Sequence, residues 1–134
     1  MNDVVELLKK SGYSDKAIEY YSNKVNVGRI ENPSVTFAYT GPCGDTMEMY
    51  LTINSNRIKA AKFQAIGCAG AFSAGSALMG MVKGKTLEAA EKIDEQEIIS
   101  FLGEFLAQKF HCACLAKRTL RKAIEKYRES ISSQ

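Results

Sequence analysis

The residues best suited to chemistry gather at Lys109-Phe110-His111-Cys112-Ala113-Cys114, a stretch that holds the only histidine of the 134-residue chain and two of its four cysteines. The stretch opens the last helix-like segment. A thiol at a helix start ionises readily, because the partial positive charge there and a nearby cation such as Lys109 favour the thiolate. The other two cysteines, Cys43 and Cys68, complete a C-x24-C-x43-C-x-C pattern. No C-x-x-C pair occurs, so zinc-ribbon and thioredoxin-type chemistry lack their spacing. Cys43 and Cys68 stand beside glycine or proline and Cys112 at a helix terminus, whereas core cysteines more often lie inside elements. Asp45, two residues beyond Cys43, offers a hard oxygen ligand or a base, and His111 offers a nitrogen. Three thiolates with a carboxylate or an imidazole make four donors around one ion or one small cluster. Lys109 offsets the negative charge of such a set. Taken singly, each residue also has an ordinary reading: cysteine as a small buried hydrophobe, Asp45 as a turn cap, His111 as a structural side chain, Lys109 as a solvated one.

Whether these groups meet depends on the elements between them. Asp3 and Ser14 are capping residues for two short helices, and Gly12 separates them. Residues 22–34, with Asn23, Asn26, Gly28, Asn32 and Pro33, read as an irregular connector. Strands follow at Val35 to Thr40, Met47 to Ile53 and Ile58 to Ile66. Gly41-Pro42-Cys43-Gly44-Asp45 joins the first pair and Asn54-Ser55-Asn56 the second. This antiparallel meander puts Cys43 and Cys68 at one end of the sheet, since both follow strands running the same way. Ala69 to Val82, rich in Ala, Gly, Ser and Met, reads as a helix packed closely on the sheet. Thr86 and Asp94 cap two more helices, the second with Ile98, Ile99, Leu102 and Phe105 at helical spacing. The last helix runs from about His111 to about Ser130, with Cys112, Ala116, Leu120, Ala123, Ile124 and Tyr127 as its apolar stripe. The expected fold is α+β: one domain over residues 1–134, a three-stranded antiparallel sheet with helices on one face, and a long C-terminal helix.

Composition narrows the function classes. The chain is 46% hydrophobic and 25% charged, as in an ordinary globular domain. No apolar run nears the ~20 residues that span a bilayer. The acidic start, without a basic flank and apolar block, does not read as a signal peptide, so a cytoplasmic protein is expected. Four cysteines in that compartment point to metal or thiol chemistry and not to disulfides. The net charge of +3 is concentrated in Lys117, Arg118, Arg121, Lys122, Lys126 and Arg128. With no tryptophan and only Tyr127, a residue of the apolar stripe, among them, this run reads as a solvated helix face and not as a nucleic-acid surface.

The motifs in order resemble those of the IscU/NifU-type iron–sulfur cluster assembly scaffolds. The matching pieces are Pro42-Cys43-Gly44-Asp45, Gly67-Cys68-Ala69 and Lys109-Phe110-His111-Cys112. Val82-Lys83-Gly84-Lys85-Thr86-Leu87 is similar to the family's Lys-Gly-Lys-(Ser/Thr)-Leu segment, and Asn26-Val27-Gly28 to the end of its Asn-Pro-Arg-Asn-Val-Gly motif. The similarity covers nearly the whole chain. The resemblance implies a non-enzymatic scaffold that assembles a [2Fe–2S] cluster from iron and persulfide sulfur and hands it to apo-proteins. It implies Cys43, Cys68 and Cys112 as cluster ligands, Asp45 as an iron ligand or a group that keeps the cluster labile, and His111 as an alternative ligand. Cys112 would be the acceptor of persulfide sulfur from a cysteine desulfurase, and zinc a substitute for iron at the same residues. Apo iron–sulfur proteins would be the recipients, and a cluster shared between exposed thiolates would allow a bridged homodimer beside the monomer.

Three departures qualify the match. Family members served by a specialised ATP-driven chaperone carry Leu-Pro-Pro-Val-Lys before the His-Cys pair. Here Phe105-Leu106-Ala107-Gln108-Lys109 keeps only the lysine, which argues against that partner. Asn23-Lys24-Val25-Asn26-Val27-Gly28 lacks the family's Pro-Arg pair. Cys114 is extra: at 100° per residue it lies 200° from Cys112, near Arg118 and Arg121. It reads as a tolerated thiol, with a second sulfur-carrier role as the alternative. Two other readings stand beside the scaffold: a zinc-dependent persulfide acceptor with the ion on Cys43, Asp45, Cys68 and Cys112, and a structural zinc domain. The absence of an insertion between the last two ligand cysteines favours the scaffold branch.

Overall fold

The computed structural model describes residues 3–42, 44–103 and 110–132. Cys43, Phe105 and Lys109 lie outside the described residues. The meander forms as its alternation dictates: β1 (Val35–Thr40), β2 (Thr46–Asn54) and β3 (Arg57–Ile66) pair antiparallel in the order β1-β2-β3. Met49 sits opposite Phe37 on one side and Phe63 on the other. The β2–β3 hairpin turns through Ser55 and Asn56, both at positive φ (53° and 64°), the conformation of a two-residue turn that follows the strands' twist. Met47, Met49, Leu51 and Ile53 from β2 are buried, and so are Ile58, Ala61 and Phe63 from β3.

Helices cover this face. In chain order they are α1 (Asp3–Lys10), α2 (Asp15–Ser22), α3 (Ala69–Val82), α4 (Leu87–Glu91), α5 (Glu95–Leu102) and α6 (Phe110–Ser132). The central α3 lies on β3, α6 crosses β1 and β2, and α2 and α5 pack on α3. Its small residues permit the close approach: a Cβ on Gly75 would stand 2.6 Å from Cε2 of the buried Phe63. The capping residues act as their types require. Ser14 Oγ accepts from the Ala17 amide at 3.0 Å and donates to the Leu102 carbonyl at 2.6 Å, so one hydroxyl starts α2 and ties it to the end of α5. Thr86 caps α4, and Asp94 with Glu97 forms a capping box on α5.

Two sequence expectations need correction. The connector before β1 is not wholly irregular. Asn26 and Gly28 pair with the β3 edge through Phe63 N to Asn26 O (3.1 Å) and Gly28 N to Phe63 O (2.8 Å). The Asn26 side chain donates to the Ser76 carbonyl of α3 at 3.0 Å. Asn26 adopts φ +62°, which asparagine tolerates better than most residues, so a short non-periodic segment becomes a structural tie. The basic run of α6 is not a uniformly solvated face. Lys117 is buried, 8% exposed, and its ammonium donates to the Glu91 and Ile93 carbonyls at the end of α4. Arg128 pairs with Glu91 at 2.6 Å and Glu88 at 3.4 Å, and Lys126 donates to the Thr36 carbonyl. Carbonyls left open at a helix C-terminus attract cations, and that demand is invisible in a one-dimensional charge count.

Candidate metal centre

Three local structures meet at one end of the sheet. The first is the β1–β2 turn. Gly41 N donates to Asp45 O at 2.9 Å, Gly44 N to Gly41 O at 3.0 Å, and Gly44 takes φ +93°. This tight turn delivers Asp45. The second is the exit of β3, where Cys68 is the N-cap of α3 in extended conformation. Its carbonyl accepts from Ala71 and Phe72, while its side chain makes no capping bond. The thiol is directed to Asp45 Oδ2 and Cys112 Sγ, each at 3.6 Å. The third is the first turn of α6, which supplies His111 and Cys112, with His111 Nε2 3.7 Å from Cys112 Sγ.

Gly67 makes the meeting sterically feasible. A Cβ at this position would lie 2.6 Å from Asp45 Cγ, so only glycine lets the carboxylate settle against the Cys68 turn. On the other side, the Gly41 turn rests against Leu115 of α6, where an added Cβ would come within 3.2 Å of Leu115 Cδ1.

The donor spacing suits one coordination sphere. Ligand atoms of Asp45, His111 and Cys112 all lie within 4.8 Å of one another, and Cys68 is 3.6 Å from two of them. Sulfurs bound tetrahedrally at about 2.3 Å from a metal stand about 3.8 Å apart, so the set needs little movement to close on an ion. A separation of 3.6 Å is also far beyond the ~2.05 Å of a disulfide, so Cys68 and Cys112 are not bonded to each other. Two soft thiols, one hard carboxylate and one imidazole suit iron or zinc.

Burial separates the four. His111 is exposed, Asp45 and Cys68 are half-buried, and Cys112 is fully buried. The sequence reading expects thiols exposed on loops. Cys112 departs from it because it heads the apolar stripe that continues through Ala116, Leu120, Ala123 and Ile124, all buried. Cys43 and Lys109, expected ligand and neighbouring cation, lie outside the described residues. Cys114 is not among the mutually close donors of the described residues. It borders a separate cavity with Tyr39, Pro42, His111 and Arg118. Burial first, and then the Glu95 carboxylate, push its thiol above the ordinary range, with Arg118 opposing. Gly67 as the residue that admits Asp45 was missed by sequence reasoning. Its position directly before Cys68 was the available signal.

Fold and site together define a class: an α+β domain carrying a thiol, carboxylate and imidazole cluster where two sheet loops meet a helix start. The chain belongs to the NifU-like N terminal domain family, whose model matches residues 12–134. It is similar to Iron-sulfur cluster assembly scaffold protein IscU 1 of Archaeoglobus fulgidus, with 42% identity over 116 residues, 86% of this chain and 76% of that protein. Iron-sulfur cluster assembly scaffold protein IscU of Azotobacter vinelandii is 36% identical over 121 residues, 87% of this chain and 94% of that one. Among solved structures, a crystal structure of an iron-sulfur cluster assembly scaffold protein for the SUF system from Fervidobacterium islandicum AW-1 superposes with a TM-score of 0.70. It shares 25% identity, covering 83% of this chain and 95% of that one. None of the described helices is long and apolar enough to cross a membrane.

Proposed function

We propose that this protein is a scaffold, not an enzyme, on which a [2Fe–2S] cluster is built and from which it passes to apo iron–sulfur proteins. The observation that carries the reading is the convergence of Asp45, His111 and Cys112, whose ligand atoms lie within 4.8 Å of one another, with the Cys68 thiol 3.6 Å from Asp45 and from Cys112. The names of the relatives support it. Iron and sulfur are here the cargo. Cys43, Cys68 and Cys112 supply thiolates, Asp45 an oxygen ligand that keeps the set from becoming a permanent four-cysteine cage, and His111 a reserve nitrogen. Lys109 tempers the accumulated negative charge. Sulfur arrives from a cysteine desulfurase. The Cys112 thiolate attacks the outer sulfur of the donor's persulfide, a new S–S bond forms on Cys112, and the donor leaves as its thiolate. No external oxidant enters that step. The missing prolines at 105–109 argue against dependence on a specialised ATP-driven chaperone.

The four-donor set also favours a second reading, a zinc-dependent persulfide acceptor. Anaerobic incubation with iron, cysteine and a desulfurase separates the two. A scaffold develops visible sulfur-to-iron charge-transfer absorption that then moves to an apo-ferredoxin. A colourless protein that retains one zinc and takes up persulfide overturns the scaffold in favour of the acceptor. In either case Cys112→Ser is expected to abolish sulfur acceptance, and full acceptance by that variant would refute the role given to Cys112.

A further inference from the structure

The outward stripe of α6 runs His111, Cys114, Arg118, Arg121, Lys122 and Glu125, with the buried Leu115 at its edge. Two adjoining cavities lie along it. One, of about 260 Å³, is bounded by Tyr39, Pro42, His111, Cys114, Leu115 and Arg118. The next, of about 320 Å³, is bounded by Tyr39, Arg118, Arg121, Lys122 and Glu125. Tyr39 and Arg118 belong to both, so the cavities form one groove between α6 and the edge strand β1. Fourteen helical steps cover about 21 Å, the reach of six to seven extended residues. Its inner end is largely apolar and opens at His111, beside Cys112.

Charge selects the occupant. Arg118, Arg121 and Lys122 are exposed, outnumber the two carboxylates at the groove, Glu125 on its wall and Glu95 beside Cys114, and make no ion pair among the described residues. The other cations of α6 named above, Lys117, Lys126 and Arg128, are all committed to carbonyls or carboxylates. Among the described residues that bound the groove, Tyr39 is the only Phe, Tyr or Trp, and it lies under the Lys122 ammonium at 5.8 Å, which takes up a face on which a nucleobase would stack. We propose that this groove seats an extended acidic segment of a partner protein and leads its end toward Cys112. The partner is placed by its acidic chemistry alone, so the inference does not depend on which metal or cluster the centre carries.

The test is a titration of the full chain with a fluorescent extended peptide rich in Asp and Glu, alongside a lysine-rich counterpart and a single-stranded oligothymidylate. The acidic peptide is expected to bind, with amide shifts confined to Tyr39–Pro42 and the outer stripe of α6. Arg118→Glu with Arg121→Glu should weaken it about tenfold, and Lys122→Glu alone measurably, because each reversal replaces attraction with repulsion. Lys59→Glu, the same charge change as Lys122→Glu but on exposed β3, should leave affinity unaltered. Equal weakening by Lys59→Glu would reduce the effect to net charge and overturn the groove. Tighter binding of the oligonucleotide would reassign it to nucleic acid, and absence of peptide binding would remove it. Chemical reconstitution with iron and sulfide should proceed in the double reversal as in the parent chain. Failure of reconstitution in both counts against the scaffold reading and leaves the peptide result standing.

Discussion

Gly67 and Asp45 show how little room the centre has. The carboxylate occupies the volume a Cβ on residue 67 would need. Gly67→Ala therefore displaces Asp45 from Cys68 while touching nothing in the core. Zinc affinity, measured by competition with a chromogenic chelator, should fall about tenfold, the scale of misplaced support around a metal. Thermal stability should stay near that of the parent, since the site of change is exposed. A large loss of stability with unchanged affinity would contradict this account. Cys114 makes the opposite point. Its thiol is held protonated by burial and by Glu95, so at pH 8 it should alkylate with iodoacetamide more slowly than a free cysteine. Its rate should keep rising beyond the pH at which an ordinary thiol levels off. Glu95→Gln removes a like charge and should shift that profile toward lower pH, as read by peptide-level mass spectrometry. These residue-scale relations were only partly legible. Cysteine types and their loop positions singled out the candidate ligands, but no spacing along the chain says that residue 67 must be glycine for residue 45 to fit.

At the scale of elements, α6 carries three functions on three faces. Its apolar stripe, with Cys112 at its head, was legible from periodicity, whereas the full burial of that thiol was not. Lys117 was not legible. It lies between Ala116 and Arg118 in a basic run, yet its ammonium is spent on the Glu91 and Ile93 carbonyls. Lys117→Met keeps the apolar stem and strands both carbonyls. Urea denaturation should show a loss of about 2–3 kcal/mol, the range for charge-assisted bonds to buried acceptors. Lys59→Met, exposed on β3, should stay within about 0.5 kcal/mol. Equal effects would mean that Lys117 acts only through its charge. The connector around Asn26 escaped periodicity for a related reason. Its order comes from hydrogen bonds to β3 and α3, partners far away in sequence.

Over the whole molecule, the centre depends on how closely α3 lies on the sheet, because α3 begins at Cys68 and β3 ends just before it. Gly75→Ala tests that spacing. Alanine gains about 1 kcal/mol of helix propensity over glycine. Against this, its Cβ would stand 2.6–2.9 Å from the ring of Phe63, which is fully buried and cannot swing away. Overpacking of this kind costs about 1–3 kcal/mol, so the clash should win and the denaturation midpoint fall with an unchanged slope.

Strand alternation, helix caps and the small-residue helix determined the α+β architecture from the sequence by itself, because they are local preferences repeated over several residues. Cysteine identity and placement likewise determined the class of chemistry. The tertiary structure alone decided which donors stand within 4 Å of one another, that Cys112 is buried while His111 is exposed, and that three cations of α6 along a groove make no ion pair among the described residues. Those outcomes rest on contacts between residues tens of positions apart, and they are set by how closely the helices pack on the sheet and by which polar groups that packing leaves without partners.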